Sequence, residues 1–229
     1  MKKLTLFLAI AIAFIANMSA QTNPAGNSLK GKSIAVFGDS YVQNHRESYT
    51  KTWHYKFATK YGMRYQNFGL NGNCVSIDTE QFGPAMYKRY TVLPDTLDYL
   101  IIVAGHNDAG RLDRITPKVY EEKATLLCRL LKERYPNTKM AWFTPWRVKG
   151  YYGGNFQTVA DITAKVCQEF GIPVFNSAAD YTIKADSDEF RSKYFQNKGI
   201  NDRAHLNDEG HDLFEPIAEQ FLLHAWGIK

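Results

Sequence analysis

Cysteine is scarce in this chain, and its three residues are far apart. Cys74, Cys128 and Cys167 form no Cys-x-x-Cys pair, so the spacing typical of zinc and iron–sulfur sites is absent. Cys128 and Cys167 fall within helical patterns, which predicts small buried side chains. The three residues allow one disulfide in an oxidising compartment, but their spacing does not select a pair.

The chain also lacks blocks of one charge, internal repeats and nucleotide-binding motifs. Its net charge of +5 is spread along the sequence, which argues against nucleic acid as a partner. The glycine-rich loops carry neither a Walker lysine nor a GxGxxG pattern, so we expect no nucleotide cofactor.

Long apolar runs are missing except at the start. Leu4–Ala16 follows two lysines and is followed by the small residues Ser19 and Ala20, which predicts a signal peptide over 1–20. The alternative is an uncleaved anchor, for which the apolar core is short. We therefore expect an exported protein, periplasmic or secreted, with no stable membrane insertion after signal removal and a loose lead-in over 21–32.

Residues 33–229 have the length of one domain. Apolar strand patterns alternate with helical patterns, which predicts an α/β fold with a parallel sheet between helices. Tyr99–Ala104 is apolar throughout, as expected for a strand covered on both faces. The predicted strands are Ser33–Phe37, Arg64–Phe68, Tyr99–Ala104, Met140–Thr144 and Ile172–Phe175, and the predicted helices are Lys51–Tyr61, Pro117–Tyr135, Phe156–Phe170 and Asn207–Trp226, the last kinked or restarted at Pro216.

Polar residues follow the strands where ligands bind in such folds, beyond the carboxyl ends of the strands. Four blocks stand at this predicted edge: Gly38-Asp-Ser-Tyr41, Asn67–Asn73, Gly105-His-Asn-Asp108 and Asn201–Asn207. Together they contain the groups that acyl transfer needs.

A serine hydroxyl needs a base, and the base needs an orienting acid. Ser40, His205 and Asp202 can supply these three roles. Hydrogen-bond donors must also await the oxyanion. The backbone N–H groups of Ser40 and Gly72 and the side-chain amide of Asn107 can supply three, so the prediction needs no metal.

The four blocks, in this order, resemble the SGNH subset of the GDSL esterase/lipase family. The four named positions fall on Ser40, Gly72, Asn107 and His205, and Asp202 completes the triad. The resemblance extends from residue 34 to about residue 222. It implies a flavodoxin-like three-layer α/β/α sandwich with a mostly parallel five-stranded sheet, and ester hydrolysis without metal or cofactor.

Each position has a plainer interpretation. Ser40 taken alone suits a helix cap. Asp208 and His211 repeat the Asp-x-x-His spacing, although on the last helix they would form a common surface pair. Gly69 is the alternative to Gly72 as a bare backbone donor.

The loop after the third strand has plainer roles as well. Asn107 can stabilise this loop, and Asp108 is expected to fix it rather than to touch substrate. His106 either lines the pocket or is structural. Asp39 is expected to shape the turn before Ser40.

The loop over residues 145–154 is unusually aromatic. Trp146 and Tyr151 can stack on sugar rings and Arg147 can meet an acidic group, whereas the alternative is that these aromatic residues cover the core. Tyr41 and His106 complete the predicted substrate-binding set. We expect a short acyl group, such as acetyl, on a carbohydrate or another polar alcohol.

Two other functions fit the sequence. A lysophospholipase or thioesterase would use the same triad, and a carbohydrate-binding module with a vestigial site would not be an enzyme. The predicted partner is a small-molecule or glycan ester, and the sequence leaves the oligomeric state open.

Overall fold

The structure, a computed structural model, describes residues 28–148 and 155–229. The predicted signal peptide, residues 21–27 of the lead-in, and Tyr151 lie outside the described residues. Five strands form one sheet in the order β2-β1-β3-β4-β5, and every neighbouring pair is parallel. The strands are β1 (Ser33–Gly38), β2 (Arg64–Gly69), β3 (Tyr99–Val103), β4 (Lys139–Phe143) and β5 (Val174–Phe175).

Eight α-helices lie wholly within the described residues. They are α1 (Ser40–Gln43), α2 (Trp53–Lys60), α3 (Met86–Arg89), α4 (His106–Ala109), α5 (Leu112–Arg134), α6 (Asn155–Glu169), α7 (Asp188–Tyr194) and α8 (Asp208–Ala225). The four predicted helices correspond to α2, α5, α6 and α8. The other four were missed because helices of four to seven residues are too short for a clear period.

Two helices depart from the predicted detail. Thr116 has φ 61° and ψ 150°, so the regular part of α5 begins at Pro117, as predicted, and the turn over residues 112–115 precedes it. The helix α8 continues through Pro216, which does not restart it. A proline inside a helix removes one backbone hydrogen bond, and the packed helix tolerates this loss.

The order of strands places helices on both faces of the sheet. From β1 the chain adds β2 on one side, and from β3 it adds β4 and β5 on the other side. Because the crossovers are right-handed, the helices that connect the strands on the two sides lie on opposite faces of the sheet. Accordingly α2 packs against α8, and α5 packs against α6. The predicted three-layer α/β/α fold is confirmed.

The core confirms the interpretation of the apolar third strand. All five residues of β3 are buried, whereas β2, at the edge of the sheet, is partly exposed. The predicted lead-in is not loose at its end, since Leu29 is fully buried and the Gly31 N–H donates to the Gly62 carbonyl at 2.9 Å. This contact pairs the chain just before β1 with the chain just before β2.

The three cysteines are free and buried. The sulfur atoms of Cys128, on α5, and Cys167, on α6, are 4.0 Å apart, which agrees with the prediction of small buried side chains. None of the helices within residues 28–148 and 155–229 combines the length and the apolar character needed to cross a bilayer.

Candidate active site

Ser40 lies just beyond the carboxyl end of β1 and is the first residue of α1. Gly38 allows this turn because an added Cβ would lie 2.1 Å from the Val103 carbonyl oxygen of β3. Asp39, not Ser40, caps the helix, and its carboxylate accepts the Tyr41 N–H at 2.9 Å. The Ser40 hydroxyl is therefore left for other contacts.

Ser40, His205 and Asp202 form one hydrogen-bonded chain. The Ser40 Oγ lies 2.7 Å from His205 Nε2, and both carboxylate oxygens of Asp202 lie 2.9 Å from His205 Nδ1. Since a carboxylate only accepts, Nδ1 carries the proton and Nε2 accepts from the serine hydroxyl. This is the arrangement that activates a serine.

Asp202 is buried, and burial alone would raise its pKa. The hydrogen bond and charge of His205, and the backbone N–H groups of Ala204 and His205, outweigh that effect and hold the pKa below its ordinary value. Asp202 is thus kept as a carboxylate that orients the imidazole.

The segment that carries these two residues is fixed from both sides. The Trp146 indole N–H donates to the Ala204 carbonyl at 3.1 Å, and the Gln196 N–H donates to the His205 carbonyl at 2.9 Å. Asn207 then caps α8 by accepting the Gly210 N–H. The imidazole is therefore held on a loop that is bonded to the segment after β4 and leads directly into α8.

The second Asp-x-x-His pair lies elsewhere. His211 is buried; its Nδ1 accepts the Trp53 N–H at 3.3 Å and its Nε2 donates to Asn44 Oδ1 at 3.2 Å. Asp208 pairs with Lys56 on α2. The structure brings His205 to Ser40 and uses His211 to join α8 to α2.

Two of the predicted oxyanion donors, Gly72 and Asn107, are linked through Asn73, whose carbonyl accepts the Asn107 amide. Gly72 lies in the Leu70–Asn73 turn with φ +73°, and within residues 28–148 and 155–229 its N–H has no acceptor. The N–H of the alternative, Gly69, is already bonded to Asn67 Oδ1 at 2.9 Å. The geometry therefore favours Gly72 over Gly69.

Asn107 lies on α4 with its amide turned toward this turn. Its Nδ2 donates to the Asn73 carbonyl at 3.0 Å and to Asp39 Oδ2 at 3.3 Å. The longer bond is the weaker of the two. The amide is thereby aimed between β1 and the turn that holds Gly72.

Two buried acids surround this donor set. Burial and the repulsion of Asp108 raise the pKa of Asp39 to about 7, although the Tyr41 N–H works in the opposite direction. Burial also raises the pKa of Asp108, which accepts the N–H groups of Val75 and Ser76 at 2.8 and 3.0 Å. Asp108 thus anchors the chain that follows the Gly72 turn.

The predicted substrate-binding residues divide into three groups. Tyr41 and His106 are buried beside the site and hydrogen-bonded at 2.7 Å. Arg147 is exposed and its guanidinium lies 5.6 Å from the Tyr181 ring. Trp146 is only 4% exposed and packs on Tyr41 at 4.4 Å, so the prediction that it stacks on sugar gives way to the alternative that it covers the core.

His45 is a site residue that the sequence did not reveal. Its ring stacks on His205 at 4.3 Å with an interplanar angle of 10°, and its Nε2 lies 3.7 Å from Asp202 Oδ2. No aspartate precedes His45 at the Asp-x-x-His spacing, and only the fold brings Asp202 to it. The φ of +50° at His45 is uncommon for a residue with a side chain, as is often found at functional sites.

His45, Asp202 and His205 offer ligand atoms within 4.8 Å of one another. Imidazole lone pairs lie in the ring plane, and the planes of the two rings are nearly parallel. The lone pairs therefore do not converge on one point, and the geometry favours ring stacking over metal chelation.

Comparison with known proteins places the chain in a class. Residues 36–213 match a model of acyl-ester-cleaving proteins, and the protein is an ester-hydrolysing enzyme. The chain belongs to the GDSL-like lipase/acylhydrolase family, which confirms the resemblance drawn from the four blocks. No curated protein matches the chain.

Several solved structures share the fold. An aryl esterase from M. smegmatis has a TM-score of 0.62 at 20% identity, with 83% of this chain and 98% of that chain covered. A carbohydrate acetylesterase family member from Sinorhizobium meliloti has a TM-score of 0.60 at 16% identity, covering 83% and 99%. A G-D-S-L lipolytic protein from Veillonella parvula has 0.59 at 16%, covering 82% and 96%.

Proposed function

We propose that this protein is an exported serine esterase with a Ser40–His205–Asp202 triad, which removes short acyl groups from a carbohydrate or another polar alcohol. The observation that carries the mechanism is the unbroken chain of hydrogen bonds, 2.7 Å from Ser40 to His205 and 2.9 Å from His205 to Asp202. His211, a structural histidine, instead bonds the Trp53 N–H with one ring nitrogen and Asn44 Oδ1 with the other, and neither nitrogen meets a serine hydroxyl of the described residues.

Acylation begins when Ser40 Oγ attacks the ester carbonyl carbon and its proton passes to His205 Nε2. The carbonyl electron pair moves onto oxygen, and the N–H groups of Ser40 and Gly72 stabilise the oxyanion. Asn107 adds the amide hydrogen that it otherwise gives to Asp39 at 3.3 Å.

The tetrahedral intermediate then loses the alcohol. The bond to the alkoxide oxygen breaks, and His205 returns its proton to that oxygen. Water repeats the attack on the acyl-serine with His205 as base, which releases the carboxylic acid and restores the Ser40 hydroxyl. Asp202 stays ionised and stabilises the imidazolium in both halves.

Two observations support a short acyl group. Tyr41 and His106, which directly adjoin Ser40 and Asn107 in sequence, are buried and locked to each other by a hydrogen bond. Their rings also pack against Trp146 and Phe156 at 4.4 and 5.2 Å, so they fill space beside the nucleophile. One structural neighbour is a carbohydrate acetylesterase family member, which supports a sugar hydroxyl as the polar group that carries the acyl chain.

A panel of esters from acetyl to long acyl chains, together with acetylated glycans, tests this proposal. Wild type should prefer acetyl esters, and Ser40→Ala should lose about 10³-fold or more of kcat. Equal turnover by the two proteins contradicts the mechanism. Activity that rises with acyl length would instead support a lysophospholipase or thioesterase.

The two Asp-x-x-His pairs provide a matched control. His205→Gln should abolish ester turnover and labelling by a fluorophosphonate probe, whereas His211→Gln should keep both when the protein is folded. Absence of labelling in wild type would favour a non-catalytic carbohydrate-binding module.

Export rests on the N-terminal sequence pattern. Expression in a Gram-negative host should give a periplasmic or secreted protein whose mature sequence begins at Gln21. A cytosolic protein that retains Met1 contradicts this part of the proposal without affecting the esterase chemistry.

A further inference from the structure

Arg89 connects three separate segments behind the oxyanion donors. Its Nη2 donates to the Gly38 carbonyl at the end of β1 at 2.9 Å, and its Nη1 donates to the Phe68 carbonyl of β2 at 3.1 Å. Its Nε donates to Asn73 Oδ1 at 3.1 Å. The guanidinium also lies 4.6 Å from the Phe37 ring centre, in cation–π contact.

Asn73 connects Arg89 to the oxyanion donors Gly72 and Asn107. It follows Gly72 directly, and its own carbonyl accepts Asn107 Nδ2 at 3.0 Å. Its amide Nδ2 donates to the Phe82 and Pro84 carbonyls at 3.3 and 2.8 Å. A side chain held on every polar atom fixes the backbone beside it, and here that backbone includes the Gly72 N–H.

Arg89 is also the nearby positive charge for a buried acid. Burial lowers the pKa of Arg89 to about 10, which still leaves it protonated at neutral pH, and Asp39 acts in the opposite direction. In turn, the charge of Arg89 lowers the pKa of Asp39. Asp39 accepts one hydrogen of Asn107, so both ends of this charge pair lead to the oxyanion donors.

We propose that Arg89 is a positioning residue for ester hydrolysis, which holds Gly72 and Asn107 in the geometry that receives the oxyanion. Arg89 touches neither substrate nor Ser40; it acts through the ends of β1 and β2 and through Asn73. A planar guanidinium can serve three acceptors on three segments at once, whereas a lysine ammonium is a point charge without that fixed fork. This inference rests on the proposed esterase mechanism.

The test compares Arg89→Lys with Arg134→Lys. Arg134, near the end of α5, donates to the Leu93 carbonyl at 2.8 Å and is likewise partly buried. It lies at the amino edge of the sheet, away from Ser40. Arg89→Lys should lower kcat for an acetyl ester about tenfold to a hundredfold with little change in KM, because donors are misplaced only for the transition state. Arg134→Lys should leave both constants unchanged.

A boronic acid inhibitor supplies a second measurement. Its tetrahedral adduct with Ser40 resembles the intermediate, so its inhibition constant should rise by about the factor by which kcat falls. Wild-type kcat and boronate affinity in folded Arg89→Lys overturn the proposal. A parallel loss of kcat and boronate affinity in Arg134→Lys would also overturn it, because any lost arginine bond would then have the same effect.

Asn73→Ala tests the same connection from its other end if the arginine variant folds poorly. It should lower kcat, and the loss in the double variant should be smaller than the product of the two single losses, since the two residues share one contact. Independent, multiplicative losses overturn the proposal. If Ser40→Ala retains wild-type turnover, the esterase mechanism itself has failed, and this outcome is distinct from a failure of Arg89.

Discussion

Gly72 is the residue at which backbone conformation most directly limits chemistry. Its φ of +73° favours glycine, and an added Cβ would lie 2.4 Å from the ring of Phe82. Gly72→Ala must therefore displace either the ring or the turn. We expect a loss of about 2 kcal/mol in the free energy of unfolding and at least about tenfold in kcat.

Gly171 offers a matched control for this substitution. It has a similar φ of +63° with nothing within 4 Å of an added Cβ, and it lies between α6 and β5, away from Ser40. Gly171→Ala should cost about 1 kcal/mol of stability and leave kcat unchanged. Urea denaturation and steady-state kinetics on both variants check this; equal kcat in the two variants contradicts a role for the Gly72 turn.

Asp39 should make the stability of the protein depend on pH. Its pKa is about 7 in the folded protein, whereas its ordinary value is 3.8, so between these two pH values the unfolded chain binds fewer protons. Wild type therefore loses stability from Asp39 as pH rises from about 4 to about 7, by up to about 4 kcal/mol. Asp39→Asn keeps a capping side chain and should gain stability relative to wild type between pH 5 and pH 8.

Asp98→Asn is the control. The pKa of Asp98 is lowered by the Ser33 N–H and hydroxyl and by Lys32, despite some burial. Its contribution is lost only as pH falls below about 4. The stability difference from wild type should thus be the same at pH 5 and pH 8. Denaturant titrations at pH 5 and pH 8 measure the free energy of unfolding of each variant. If the difference between Asp39→Asn and wild type is also the same at both pH values, the raised pKa of Asp39 is contradicted.

Among elements, α8 carries the second Asp-x-x-His pair, whose histidine, His211, is buried and has a structural role. Burial and the charges of His54, Lys56 and His205 hold the pKa of His211 well below 6.5, so the folded protein keeps it neutral. The unfolded chain takes up a proton as pH falls below about 6.5, and stability from His211 is lost in that direction.

We therefore expect His211→Gln to destabilise the protein at pH 8 and to do so less at pH 5. His224→Gln removes an exposed imidazole from the same helix and should change stability by less than about 0.5 kcal/mol. Thermal or urea unfolding at the two pH values measures both. A His211 effect that grows on acidification would contradict the neutral buried imidazole.

The long elements were predictable because their periods are local properties. β3 was predicted from the six consecutive apolar residues Tyr99–Ala104, and α5 from its one-sided apolar spacing. The short helices α1 and α4, which present Ser40 and Asn107, were not. Each has only four residues, and a helix of one turn is stabilised by its surroundings rather than by its own sequence.

For the whole molecule, the state of the three cysteines in an exported protein can be predicted from the fold. All three are buried and free. Burial raises the pKa of Cys74, and the contact with the Cys128 thiol together with burial raises the pKa of Cys167. Native protein should not react with Ellman's reagent, and denatured protein should show three thiols without prior reduction. The melting temperature should not depend on reductant. A single thiol after denaturation would instead indicate a Cys128–Cys167 disulfide formed during folding.

The sequence by itself determined the layers of this protein, the class of its chemistry and the blocks that carry it. Strand and helix periods, and the order of Ser40, Gly72, Asn107 and His205, are properties of neighbouring residues and their spacing, and the family match bears out the resemblance they suggested.

Only the tertiary structure decided between equivalent candidates. It placed His205 rather than His211 on Ser40, left the N–H of Gly72 rather than that of Gly69 without an acceptor among the described residues, and buried Trp146. It also brought His45 and Arg89 to the site. The physical reason is that parallel strands deliver distant segments to one edge of the sheet, and contacts across that edge depend on packing that no local pattern contains.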